Sequence, residues 1–222
     1  MHLGNVAMKI NSKAYWDDRF GSRDWQAKGG LIQTEEHAKR YIGHLEIAAD
    51  FDGTICDFGC AEGNAIPVYK QHFAKARLMG VDLSSRAIEQ ATARFGSMAT
   101  FSAGEAITVP DCDIIISSHT FEHIDNHTEV LETLLPKCRR LLVIVPYRED
   151  PLDPEHVRRY DEDSYADFGC VRTAVCGAGW SYRGFNLLYQ VHMKNIIRPA
   201  IGRKVVRERL QIVFEFKGQR AA

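Results

Sequence analysis

Short apolar runs alternate with amphipathic stretches through the middle of the chain. Thr54 to Phe58 reads as a strand, residues 65–73 as a helix with Pro67 near its start, and Arg77 to Val81 as a second strand. Ser84 is placed to cap a helix over residues 84–95. A turn at Ala103-Gly104-Glu105 follows, then a strand at Asp113–Ser117, a helix over 126–135 and a strand over 140–145. Buried strands with no polar face, separated by helices, predict a parallel sheet covered on both sides.

The flanks read differently. Residues 34–50 predict a helix capped by Thr34, with Glu35 and Glu36 in its first turn and Tyr41, Leu45 and Ala48 on one face. Residues 1–30 sustain neither period, so their aromatics predict an irregular or short-helical arm lying over another part of the protein. After Tyr147, charges and prolines predict a loop leaving the sheet. Residues 171–175 and 210–216 then read as strands, and a helical stretch over 186–206, interrupted by Pro199, is placed to cap the site. The chain thus divides into an arm and helix (1–49), a core (50–150) and a region of acceptor loop, helical insertion and final strands (151–222).

Composition narrows the class. The 222 residues are 45% apolar and 26% charged, which suits one large globular domain or a core with a small cap. Leu141 to Val145 is far shorter than the roughly 20 apolar residues of a membrane crossing. Neither a transmembrane segment nor a secretory signal is expected, and the cysteine usage predicts a reducing, cytoplasmic setting. Six cysteines without a CxxC pair read as ordinary thiols rather than a disulfide framework. The formal charge of -1 gives no general attraction for nucleic acid, although Lys194 to Arg209 is locally basic.

The densest chemistry is Asp57-Phe58-Gly59-Cys60-Ala61-Glu62-Gly63, directly after a strand. Gly59 and Gly63 let the chain turn and approach a ligand closely. The spacing is neither the dinucleotide GxGxxG nor a P-loop. Asp82 ends the next strand, where a carboxylate accepts hydrogen bonds from both hydroxyls of a ribose.

Together these residues resemble the class I S-adenosylmethionine (SAM)-dependent methyltransferase family, in its broad small-molecule branch, over about residues 50–150. The resemblance implies a Rossmann-like α/β sheet with a terminal antiparallel strand and a peripheral helical cap. It implies SAM as cofactor: Asp57, Gly59, Cys60 and Gly63 beside the methionine and sugar, Asp82 on the ribose, and Leu83 against adenine. Glu105 stands where the family usually places an aspartate on the adenine amino group, with the Ala106 amide facing the ring. Residues 113–124, including Ser118, resemble the segment beside the methyl donor. Tyr15, Trp16 and the Trp25 to Gly30 segment resemble coverings over the donor.

Methyl transfer requires an aligned nucleophile and a base only if that nucleophile is still protonated. His119, His123 and His156 are the base candidates, each equally readable as a structural histidine; Tyr147 and Arg148 can edge the pocket. His119, Glu122 and His123 do not match HExxH, so no metal is expected. The expected partner is a small methyl acceptor, a glycan or a lipid intermediate, with a homodimer left open. An RNA methyltransferase and a noncatalytic SAM-binding partner protein are the alternatives.

Overall fold

The computed structural model describes residues 8–178, 181–182, 185–186 and 209–220. Its centre is a seven-stranded sheet: β1 (Thr54–Phe58), β2 (Arg77–Asp82), β3 (Ala99–Ala103), β4 (Ile114–Ser118), β5 (Arg140–Tyr147), β6 (Cys170–Gly177) and β9 (Leu210–Lys217). Their spatial order is β3-β2-β1-β4-β5-β9-β6. The first five run parallel, and β9 pairs antiparallel with both β5 and β6. This is the Rossmann-like α/β sheet with a reversed strand near one edge. The order turns outward in both directions from β1 and β4, and open α/β sheets place ligands at such a switch point. A two-stranded ribbon of β7 (Ser181–Tyr182) and β8 (Phe185–Asn186) stands apart.

Alternation along the strands fills two apolar layers. Ile114, Ile116, Leu142 and Ile144 pack on one face with Tyr41, Leu45, Ile66 and Tyr69. Ile115, Leu141, Val143 and Val145 pack on the other with Leu131, Leu134, Tyr160 and Phe214. Both faces are covered, which is why these strands read as unbroken apolar runs.

Helix α4 (Ile66–His72) follows β1 and α5 (Ser85–Phe95) follows β2; the Ser84 side chain accepts the Ala87 N–H, as a cap does. Helix α6 (His127–Leu134) lies between β4 and β5. The arm holds α1 (Lys13–Gly21) and the single turn α2 (Asp24–Ala27).

Three sequence expectations shift. Helix α3 spans Gly30–Tyr41 rather than 34–50. Gly29, at φ +84°, starts it, and Thr34 lies inside, its Oγ1 donating to the Gly30 carbonyl at 2.9 Å. The helix tightens into a 3₁₀ turn at Ile42–His44, leaving Ala48 outside. Strand β3 has no counterpart in the pattern because it is a sheet edge on which only Ala99 is buried. Of the helical cap expected over 186–206, Asn186 belongs to β8, and the rest lies outside the described residues. Most of the basic stretch from Lys194 lies outside them as well. Among the described residues, no helix is long and apolar enough to cross a membrane.

Candidate active site

A cleft of about 550 Å³ opens at the carboxyl ends of β1, β2 and β4, under the aromatic arm. The β1 turn is folded across the end of β2. Gly59 N–H donates to the Val81 carbonyl at 2.8 Å, and Ala61 N–H donates to Asp82 Oδ2 at 2.8 Å. Gly59 sits at φ +80°, and a Cβ there would lie 2.0 Å from Thr120 Oγ1. Glycine is therefore required twice, by backbone conformation and by close approach.

Asp82 also accepts the Ser84 N–H at 2.8 Å, so one carboxylate ties both loops that flank the cleft. It reaches the cleft wall with further lone pairs available, since a carboxylate offers about four acceptor sites. Burial pushes its pKa up to about 6, against the pull of those backbone donors. Asp57 lies beneath the loop, 3% exposed, and burial, then the neighbouring Asp82, push it up to about 8.

Leu83, Glu105 and Ala106 join Gly59 and Asp82 on this wall, with Ile107 and Val130 beside them. Ile107 is 69% exposed, an apolar surface open to a flat ligand. Cys60 is buried; its thiol lies near Gly80, and burial holds its pKa well above the usual thiol range. Gly63, at φ +77°, packs against Phe95 and Phe101. Asp57, Cys60, Gly63 and Ser118 thus support the wall from behind rather than lining it.

The opposite wall comes from the arm and from the turn after β4. Trp16, Phe20 and Trp25 line it; Tyr15 does not, and its hydroxyl instead accepts from Arg19 Nη1 at 2.9 Å. Arg19 is buried among the three rings Tyr15, Trp16 and Trp25, 5.6 to 5.9 Å from their centroids, and pairs with the Glu155 carboxylate. Asn11 Nδ2 donates to the Glu155 carbonyl at 2.8 Å, fixing the start of the arm to the same loop.

His119 and His123 both line the cleft, and His156 stands behind it. His119 takes φ +53°, its N–H donates to the Ile144 carbonyl at 2.8 Å, and its ring stacks on His37 at 3.9 Å. Burial, then His119, hold the His37 pKa well below the usual range, so His37 stacks as a neutral ring. His119 Nε2 meets Gln211 Oε1 at 3.0 Å and Nδ1 lies 3.2 Å from Glu122 Oε1. His123 Nδ1 is 3.1 Å from the Glu155 carbonyl, which only accepts; Nδ1 therefore carries the proton and Nε2 is the free lone pair. Burial lowers the His123 pKa, favouring this neutral form. His156 packs edge-on against His123 at 4.8 Å and is hydrogen-bonded through Nδ1 to Glu149. Burial opposes charge on His156, but the Glu149 hydrogen bond together with the charges of Glu122, Glu149 and Asp153 raises the pKa. Tyr147 and Arg148 bind Glu162 instead of edging the cleft.

Sequence reading did not single out Arg19, Thr120, Gln211 or Glu149. Thr120 and Gln211 act on partners more than 60 positions away, Arg19 joins nearby rings to Glu155 136 positions on, and Glu149 lies seven from His156. No local motif marks such residues.

Comparison with known proteins agrees with this fold. A methyltransferase-domain family matches residues 34–174. Trans-aconitate 2-methyltransferase of Rhodopseudomonas palustris (strain BisB18) is 26% identical over 138 residues, covering 60% of this chain and 54% of the relative. The enzyme of that name from Afipia carboxidovorans is 30% identical over 140 residues with the same coverage. The chain spans about half the length of these curated relatives. The plantazolicin methyltransferase BpumL, solved in complex with SAH, superposes with a TM-score of 0.58 at 14% identity, covering 95% of this chain and 96% of that one. At that identity the superposition speaks for the fold alone. With the family match spanning more than half of the 222 residues, this chain belongs to the class I SAM-dependent methyltransferase family.

Proposed function

We propose that this chain binds SAM across the ends of β1 and β2 and transfers its methyl group to a small-molecule acceptor. One observation carries the reading: Gly59 and Asp82, 23 positions apart, are joined by the Ala61 N–H to Asp82 bond and face one cleft. In this arrangement Asp82 accepts the ribose hydroxyls, Leu83 and Ile107 border the adenine, and Glu105 with the Ala106 amide meets its polar edge. Asp57 acts from below, its charge drawn out by a cationic ligand.

The sulfonium already carries an activated leaving group, so the protein's task is alignment and exclusion of water. Trp16, Phe20 and Trp25 supply the excluding wall. The acceptor oxygen, nitrogen or sulfur forms a bond to the methyl carbon as the carbon–sulfur bond breaks, and the electron pair leaves on sulfur. His123 Nε2 is the lone pair available for an acceptor proton.

The curated relatives are named for trans-aconitate, a polycarboxylate. Here Asp125 and Glu129 stand with Lys9 on the cleft, and Lys9 is paired to Asp125 at 3.5 Å. That lining supports an uncharged or cationic acceptor over a polyanion.

Calorimetric titration of SAM against the wild type and Asp82→Ala tests the donor site. Loss of two hydrogen bonds to a charged acceptor weakens binding by about 100-fold or more. Unchanged affinity in a variant whose melting curve shows it folded would refute the ribose contact. A labelled-methyl assay on fractionated cell extract identifies the acceptor; donor binding with no transfer to any fraction would favour a noncatalytic SAM-binding protein.

A further inference from the structure

Behind the cleft wall, the turn after β4 meets the loop after β5. Val157 N–H donates to the Glu122 carbonyl at 2.8 Å, so the two backbones are cross-linked. Around that link, Glu122, His123 and His156 bring one ligand atom each within 4.8 Å of one another. Glu122 is fully buried at 0% exposure; His119 Nδ1 lies 3.2 Å from its Oε1 without hydrogen-bond geometry, and Oε2 has no partner. One poorly aligned imidazole contact leaves the second oxygen of this buried carboxylate unpaired, which costs about 1–3 kcal/mol unless a cation or donor meets it.

The outer contacts of the histidines point the same way. His123 Nδ1 donates to the Glu155 carbonyl at 3.1 Å, and His156 Nδ1 bonds the Glu149 carboxylate. A histidine that ligates a metal almost always engages its other ring nitrogen with a carbonyl or carboxylate, which fixes the tautomer and aims the ring. Both rings therefore keep Nε2 for a ligand.

We propose that Glu122, His123 and His156 form a binding site for a divalent first-row transition metal ion. Two imidazoles and one carboxylate suit zinc, iron, cobalt or nickel better than magnesium or calcium, which prefer all-oxygen sites. Nitrogen and oxygen ligands about 2.0–2.2 Å from a tetrahedral ion stand roughly 3.3 Å apart, so the trio closes on the ion by small side-chain rotations. Three protein ligands leave a coordination position open, as catalytic rather than structural sites do. His123 lines the cleft, which places the ion directly behind the acceptor wall. Spacing along the chain gave no metal expectation because His156 joins the pair only through folding.

A bound ion and a base role for His123 Nε2 exclude one another, so occupancy decides which part His123 plays. The site is tested by metal binding alone, so its failure leaves the donor reading untouched. The full chain, stripped with chelator, is titrated with Co²⁺ and followed by visible absorption, then dialysed against Zn²⁺. The expected result is one equivalent bound, with ligand-field bands and no thiolate charge-transfer band. Glu149→Gln, an outer contact, weakens binding about tenfold; Glu122→Gln and His156→Gln weaken it beyond the 10–100-fold range of outer-shell losses. Metal-free melting curves establish folding, and His156→Gln, in a loop, carries the test if Glu122→Gln does not fold. The proposal is overturned if the wild type binds neither ion saturably, if thiolate bands appear, or if both folded variants bind as the wild type does.

Discussion

The two walls of the cleft are built by different means. On the donor side, Gly59, Asp82 and Glu105 lie at the carboxyl ends of the parallel strands β1, β2 and β3, and backbone hydrogen bonds such as Gly59 N–H to Val81 hold them. On the opposite side, side chains far apart in sequence hold the arm down: Arg19 to Glu155 is 136 positions and Asn11 to Glu155 is 144. A wall made by sheet geometry is as stable as the sheet. A wall made by a few buried polar contacts opens when one of them is removed.

The largest effect is expected on that second wall. Arg19→Ala leaves Glu155 without its cation and removes the centre of the Tyr15, Trp16 and Trp25 cage. Breaking this half-buried pair and emptying the ring cage costs about 1–3 kcal/mol. Hydrogen exchange should rise across residues 13–41 while β1, β2 and β4 stay protected. Equal loss of protection in the sheet would show that the walls unfold as one unit. On the donor wall, Gly59→Ala forces a Cβ against Thr120 and a left-handed backbone, a strain on the order of 1–3 kcal/mol. SAM affinity should fall with little change in exchange within the arm; unaltered affinity would remove Gly59 from the site.

A smaller, graded effect comes from pH. Burial, chiefly, raises Asp57 to about 8 and Asp82 to about 6. In the unfolded chain these groups lose their protons near pH 4, earlier than in the folded one, so the unfolded state binds fewer protons across the interval. Stability of the free protein contributed by these groups is therefore highest below about pH 4 and declines as pH rises through about 6 and then about 8. Asp57→Asn should flatten the upper part of that decline in melting curves. A cationic donor favours the ionised carboxylates, so its affinity should rise over the window from about pH 5 to about pH 8, as pH approaches and passes the free-protein values of Asp82 and Asp57. Affinity that falls over this window would show that the carboxylates do not face the ligand.

The same contrast explains what the sequence disclosed. Asp57 to Gly63 and Asp82 are legible because a strand, a tight turn and a helix start occupy adjacent positions. Helix α5 was legible through its Ser84 cap. Strand β3 was not, since an edge strand with one buried residue carries no apolar run. The end of α3 was missed because Gly29 and the 3₁₀ turn at Ile42–His44, rather than the capping sequence at Thr34, set its limits. Trp16 could be placed over the cleft from its aromatic character, whereas Tyr15 could not be separated from it without the Arg19 contact. His156 was visible as a functional type, but its partners Glu149 and His123 come from folding.

The central claim is that one nucleoside spans the ends of β1 and β2. A crystal structure of the chain with S-adenosylhomocysteine tests it directly. The ribose hydroxyls should lie within hydrogen-bond distance of the Asp82 carboxylate, with the adenine between Leu83 and Ile107. A ligand bound elsewhere, or a ribose with no contact to Asp82, would contradict it.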